Sequence, residues 1–258
     1  MPTPSDPKLS RGGALVTGAG RRIGRVLALE AARSGHDVAV HYRTARDEAE
    51  AVVAEIAALG RRAVAIPGEL ADAEIGAALV GAASAAIGPL TLLVNSASTF
   101  EDDRIATLSA DSWDRHMDAN LRAPVLLAQA FAAALPADAR GLVVNLVDQR
   151  VLKPNPQFFS YSVSKAGLWW ATRTLAQDLA PAVRVNAIGP GPVLASVHQA
   201  PGEFEAEAAA TPLGGPVDPS ELAAAMRYLI DAPSVTGQMI AVDGGQHLAW
   251  RTPDVLGS

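Results

Sequence analysis

"ALVTGAGRRIG", residues 14–24, runs from an apolar stretch through three glycines into the start of a helical pattern. Strand, tight turn and helix in that order open a βαβ unit, and Gly18, Gly20 and Gly24 supply what such a turn needs. Glycine lets the turn close, lets a phosphate approach the backbone at the helix start, and lets helix pack closely on strand. The spacing is G-x-G-x-x-x-G, longer than the usual dinucleotide fingerprint. A glycine turn that binds nothing is the competing reading.

Further apolar runs repeat the first: "DVAVHY" (37–42), "RAVAIP" (62–67), "LTLLVN" (90–95), "LVVNLV" (142–147), "VRVNAI" (183–188) and "QMIAVD" (238–243). They are nearly continuous rather than alternating, which suits strands buried on both faces of a parallel sheet. Between them lie Ala-rich stretches with helical spacing, at 46–60, 71–88 and 112–135. The alternation predicts an α/β fold, a single-domain Rossmann-type doubly wound parallel sheet of about seven strands flanked by helices. That domain spans 11–258, preceded by a flexible arm over residues 1–10. A Pro- and Gly-rich stretch, 189–216, breaks the rhythm and is expected to be a substrate loop with a short helix, its 194–212 part a candidate lid.

Composition narrows the function. The chain has 258 residues, 49% hydrophobic and 19% charged, with a net charge of −6 and mixed signs along its length. No broad positive field is available for nucleic acid. There is no cysteine, which excludes disulfides, Cys-based zinc sites and thiolate catalysis and fits a reducing compartment. The N-terminus has no apolar h-region and no apolar run is long enough to span a bilayer, so the expectation is a cytoplasmic protein without membrane partners. His116, His198 and His247 show no ligand spacing with acidic partners, and no metal is expected.

The second strand bears on which dinucleotide binds. NAD enzymes carry an acid at its end for the ribose 2′-hydroxyl, but "HYRT" (41–44) offers His41 and Arg43 instead. Arg22 in the glycine turn adds a second guanidinium for a 2′-phosphate, so NADPH is the expected cofactor.

Tyr161 and Lys165 stand four apart and share a helix face. A phenol titrates near 10, and a nearby ammonium lowers that value, so the pair is expected to form a usable acid/base. With "TGAGRRIG" (17–24), "NSAS" (95–98), Asn120, "YSVSK" (161–165), "VNAIGPGPV" (185–193) and "TGQMIAVDGG" (236–245), the chain resembles the short-chain dehydrogenase/reductase family over nearly its whole length. The resemblance implies that Tyr161 donates the proton and Lys165 binds the nicotinamide ribose while lowering the tyrosine pKa. It also implies that Asn120 supports a relay water. Cofactor contacts are implied for Gly18, Gly20, Arg22, Ile23, Gly24, His41, Tyr42, Arg43, Asn95, Ala97, Lys165, Pro190 and Gly191. Homotetramers are common in the family, and the apolar faces around 112–135 and 160–180 would serve as interfaces.

Asp148 departs from the family pattern, which has serine thirteen residues before the tyrosine, hydrogen-bonded to a substrate carbonyl. An ionised carboxylate cannot donate to that oxygen and repels the charge developing there. The branch that resembles this chain at Asp148 is the pteridine reductases with their dihydromonapterin and dihydrofolate reductase relatives. That likeness implies a pterin-like substrate bound by Arg22, Ser98, Phe100, Asp148 and Tyr161, with Asp148, Tyr161, Lys165 and Asn120 catalytic. Reducing a C=N bond takes hydride at carbon and a proton at nitrogen, a task for a carboxyl group beside a phenol. The alternatives are a carbonyl reductase acting on 3-oxoacyl thioesters or sugars, and an NADPH-binding sensor without chemistry.

Weaker signals stand open. Phe158 and Phe159 are read equally as pocket wall or core, Trp169 and Trp170 as core or subunit interface, and Glu69 replaces a family aspartate near adenine. Arg251 is similar to tail residues that reach a neighbouring subunit in relatives.

Overall fold

A computed structural model describes residues 11–196 and 199–250. The expected N-terminal arm, His198 and Arg251 lie outside the described residues. The apolar runs become seven strands: β1 (Gly13–Val16), β2 (Asp37–Tyr42), β3 (Ala63–Pro67), β4 (Leu90–Asn95), β5 (Gly141–Leu146), β6 (Val183–Pro190) and β7 (Met239–Val242). They form one sheet in the order β3-β2-β1-β4-β5-β6-β7. Every pairing is parallel. The central strands β1, β4 and β5 are buried at every position, which is why their sequences show no alternation.

Helices cover both faces. Leu27 of α1 (Arg22–Arg33), Val52 and Ile56 of α2 (Arg46–Ala58), and Leu222 and Met226 of α8 (Pro219–Asp231) pack with Val16, Val40 and Val144 in one core. On the other face, Leu79 and Ala83 of α3 (Ile75–Ile87) and Leu127 and Phe131 of α5 (Ala123–Ala134) pack with Leu15, Leu93 and Val143. Ala176 of α6 (Phe159–Asp178) joins that second core. The order of strands reverses between β1 and β4, so the turns after these two strands open a crevice at the carboxyl edge of the sheet.

Two boundaries differ from the sequence expectation. The helix expected from residue 71 begins at Ile75, after a turn in which Asp72 Oδ1 accepts from the Glu74 amide. The single helix expected over 112–135 is α4 (Ala110–Met117), a π turn over Asp118–Arg122, and α5. In the π turn the Ala123 amide donates to the Asp118 carbonyl, one residue further back than in an α-helix. The loop of 189–216 contains the expected short helix, α7 (Glu203–Ala209).

Candidate active site

Chain turns at the switch point bring the two halves of the sheet together. Gly18, at φ +63°, packs so closely on the turn after β4 that a Cβ there would lie 2.9 Å from the Ala97 Cα. Thr17 Oγ1 joins the same two turns, accepting from the Ser96 and Ala97 amides at 3.0 and 3.1 Å. A Cβ at Gly24 would lie 2.2 Å from the Gly18 carbonyl oxygen, so this glycine is required by helix-on-turn packing alone. Ile23 and Ala97 are half-buried against the two cores, and Tyr42 is buried in one of them. Asn95 is buried and donates from Nδ2 to Asn145 Oδ1 across the β4–β5 pair at 2.8 Å; its own Oδ1 has no hydrogen-bond partner.

The polar residues expected around the cofactor are placed differently from one another. His41 is buried, and its Nδ1 accepts from the Gly18 amide at 3.1 Å. Its Nε2 therefore carries the hydrogen and donates to the Gly68 carbonyl at 3.2 Å. Both ring nitrogens are spent on backbone, and burial holds the imidazole below its ordinary pKa. His41 thus braces the glycine turn instead of facing a phosphate. Arg22 also departs from expectation. Its guanidinium donates to the carbonyls of Ala195 and Leu194 at 2.9 and 3.0 Å, reaching the substrate loop instead of pairing with Arg43. Arg43 is exposed, 4.0 Å from Glu69 Oε2.

Beyond β5 the chain sets the chemistry. Asp148 caps the 3₁₀ turn Gln149–Val151, its Oδ1 accepting from the Arg150 amide at 2.8 Å. One turn into α6, Tyr161 is 6% exposed and donates from Oη to Asp148 Oδ2 at 2.8 Å. Lys165, the next turn along, donates from Nζ to the Leu146 carbonyl at 2.8 Å and stands 5.7 Å from the Tyr161 ring centroid. Burial, and next the Asp148 carboxylate, push the Tyr161 phenol well above its ordinary pKa. Burial likewise raises Asp148 and lowers Lys165 to about 8. The sequence expectation that Lys165 lowers the tyrosine is therefore corrected for this site. Loss of hydration and a neighbouring carboxylate outweigh the one cation that lowers the phenol, Arg150, so Tyr161 keeps its proton.

Aromatic rings wall the cavity in front of this pair. Phe100 stacks on Phe158 with centroids 4.2 Å apart and planes at 11°, and meets Tyr161 edge-on at 4.7 Å. Asp148, Arg150, Pro190 and Gly191 line the same cavity, together with Phe204 and Glu207 of α7. Phe158 decides its open reading as pocket wall. It adopts a left-handed backbone, φ 51° and ψ 54°, an uncommon state for a bulky residue and one found where function holds the chain. Arg22, at φ 52°, is the other non-glycine residue in that region among those described.

Asn120 sits in the π turn with every side-chain atom engaged. Oδ1 accepts from the Thr99 amide at 2.8 Å and from Ser98 Oγ at 3.2 Å, while Nδ2 donates to the Thr99 carbonyl and to Ser164 Oγ. It therefore ties the loop bearing Ser98 and Phe100 to the residue next to Lys165. A second clamp was not visible in the sequence. Buried Asp103 accepts from the Ser160 hydroxyl, from the Ser160 amide at 3.0 Å and from Ser112 Oγ at 2.7 Å. His116 Nδ1 lies 2.7 Å from Ser160 Oγ, and its Nε2 accepts from the Glu101 amide at 3.1 Å. Burial alone would raise the Asp103 carboxyl, but its donors outweigh that and hold it low. Among the described residues no cluster of His, Cys, Asp or Glu could hold a metal.

Residues 18–247 match the family described as enoyl-(acyl carrier protein) reductase. The 3-oxoacyl-[acyl-carrier-protein] reductase FabG of Staphylococcus aureus is 33% identical over 240 residues, covering 91% of this chain and 98% of that protein. The crystal structure of FolM alternative dihydrofolate reductase 1 from Brucella suis, in complex with NADP, superposes with a TM-score of 0.91 at 49% identity, over 95% of this chain and 98% of that one. Its counterpart from Brucella canis, also complexed with NADP, gives 0.92 at 47% identity over 97% and 100%. With the crevice at the switch point and the Tyr161–Lys165 pair on one helix, the chain belongs to the short-chain dehydrogenase/reductase family of oxidoreductases.

Proposed function

We propose that this oxidoreductase reduces the C=N bond of a dihydropterin, such as dihydromonapterin, dihydrobiopterin or dihydrofolate, with NADPH. The observation that carries the reading is the 2.8 Å hydrogen bond from Tyr161 Oη to Asp148 Oδ2. In a ketone reductase the group at position 148 donates to the substrate oxygen. Here both Asp148 oxygens accept, one from the Arg150 amide and one from Tyr161. A carboxyl whose burial lets it take up a proton, hydrogen-bonded to a phenol, is suited to feeding a proton to a ring nitrogen. The Asp148 carboxyl, loaded with a solvent proton at its raised pKa, passes it to Tyr161 as Tyr161 gives its own to that nitrogen. The flat ring would lie against the Phe100 side of the cavity. The 47–49% identity to the two Brucella proteins named for dihydrofolate reduction supports the substrate class.

NADPH, when bound, supplies the hydride. The chain fits it in three respects. No side chain caps the start of α1 after the glycine turn, which leaves its first amides for a pyrophosphate. Lys165 spends one N–H on Leu146 and has two more for ribose hydroxyls. Exposed Arg43 follows the end of β2, which carries no acid there, and this favours a 2′-phosphate. The same reading carries a cytoplasmic homotetramer with it. Val163 and Trp170, both exposed and two turns apart on α6, are an apolar stripe that a second subunit would cover.

Exchanging Asp148 for serine tests the reading against the carbonyl-reductase alternative. For Asp148→Ser we expect pterin turnover to fall by about a hundredfold or more and 3-oxoacyl turnover to stay or rise. A variant that keeps pterin activity would overturn the assignment.

A further inference from the structure

Within the cavity one guanidinium nitrogen lacks a hydrogen-bond partner. Arg150 lies two residues after Asp148, its guanidinium carbon 5.0 Å from the Phe158 centroid and 5.7 Å from that of Phe100. Its Nη1 is buried and has no hydrogen-bond partner. Neither carboxylate of the cavity supplies one. Asp148 uses Oδ1 for the backbone amide of Arg150 and Oδ2 for Tyr161. Glu207 holds the side-chain amides of Gln199 and Gln246, each at 2.8 Å. A buried donor of a charged group left unmade is costly, and folds keep such groups where a ligand completes them. The stacked phenyl pair stands beside the guanidinium and the orphan nitrogen is buried, so a hydrogen bond it makes to an arriving acceptor is charge-assisted and little screened by water.

Substrate chemistry names that acceptor, on the reading that the substrate is a 7,8-dihydropterin. The bond reduced joins the ring nitrogen that Tyr161 protonates to the carbon bearing the side chain. The substituent therefore leaves the ring beside the Tyr161–Asp148 pair, where Arg150 stands. We infer that Arg150 is a specificity-determining residue that binds an oxygen acceptor on the substituent of the reacting carbon, selecting oxygenated or acidic side chains over bare alkyl ones. Hydroxyl and carboxylate oxygens share this chemistry; a carboxylate would engage the guanidinium at two points.

The test compares three 7,8-dihydropterins on the full-length enzyme with NADPH: 6-methyl, 6-trihydroxypropyl, and dihydrofolate. For Arg150→Met, kcat/KM for the oxygenated substrates should fall by about ten- to hundredfold more than for the 6-methyl compound, chiefly through KM. Arg150→Lys should recover part of that difference. The larger loss identifies hydroxyl or acyl and carboxylate oxygens as the group read. An equal loss on all three substrates, or none, would overturn the inference, because a structural or dyad-tuning role is blind to the side chain. Wild-type enzyme inactive on all three would instead overturn the pterin reading and this inference with it.

Discussion

The Tyr161 hydroxyl and the Asp148 carboxylate, thirteen residues apart in sequence, meet at 2.8 Å behind the aromatic wall of the cavity. The contact exists because β5 ends in a turn that Asp148 itself caps, while α6 starts from the strained Phe158 and aims Tyr161 back at that turn. Function and stability pull against each other here, since burial opposes the ionised carboxylate.

That opposition has a sign in pH. The folded pKa of Asp148 is raised above its unfolded value of 3.8. Its contribution is therefore fully present below 3.8 and is lost as pH rises through the folded pKa. We expect Asp148→Asn to gain in Tm relative to wild type as pH is raised from 4 to 8, while turnover falls. A Tm difference independent of pH would contradict this.

His36 titrates in the opposite sense. It is fully buried, Nδ1 faces the Gly12 carbonyl, and burial lowers its pKa from 6.5 to about 4. The unfolded chain binds the proton first, so stability is present above 6.5 and is lost as pH falls towards 4. The loss attributable to this residue is about 3 kcal/mol. Urea unfolding of wild type and His36→Gln at pH 7 and pH 4 should show that much less pH dependence in the variant; parallel pH dependence would sink the account.

Asp103 is expected to matter more than any exposed acid. Removing it strands the donors of Ser112 and Ser160. Asp103→Ala should cost about 3 kcal/mol in unfolding free energy. Asp103→Asn, which keeps an acceptor, should cost less, and equal costs would show that the clamp is not made by these donors.

Arg22 holds the substrate loop through the Leu194 and Ala195 carbonyls. Arg22→Ala should speed amide hydrogen exchange across 194–196 and the start of α7 in the cofactor-free protein, with α3 as the unchanged reference. Unchanged exchange in the loop would mean that the clasp does not restrain it.

The sheet was legible because burial on both faces leaves an unbroken apolar run, as in "LTLLVN" (90–95), and the helices between them force parallel pairing. Asp148, Tyr161 and Lys165 were legible because their separation survives folding: a strand end and one helix face bring them together. The π turn around Asn120 was not, since a shift from four- to five-residue hydrogen bonding leaves no mark in side-chain periodicity. The contacts of Arg22, His41 and Arg150 were not legible for a different reason. Each has its role set by a group distant in sequence, namely the Leu194 carbonyl, the Gly18 and Gly68 backbone, and the Phe100 and Phe158 faces. The buried Asp103 clamp likewise joins residues 57 apart.

The most direct measurement is steady-state turnover of NADPH with 7,8-dihydropterins, run in parallel with a 3-oxoacyl thioester and repeated with Tyr161→Phe. The account predicts tetrahydropterin formation that exceeds thioester reduction and falls by about a hundredfold or more in the variant. Thioester reduction without pterin turnover, or NADPH binding with no reduction of either, would contradict it.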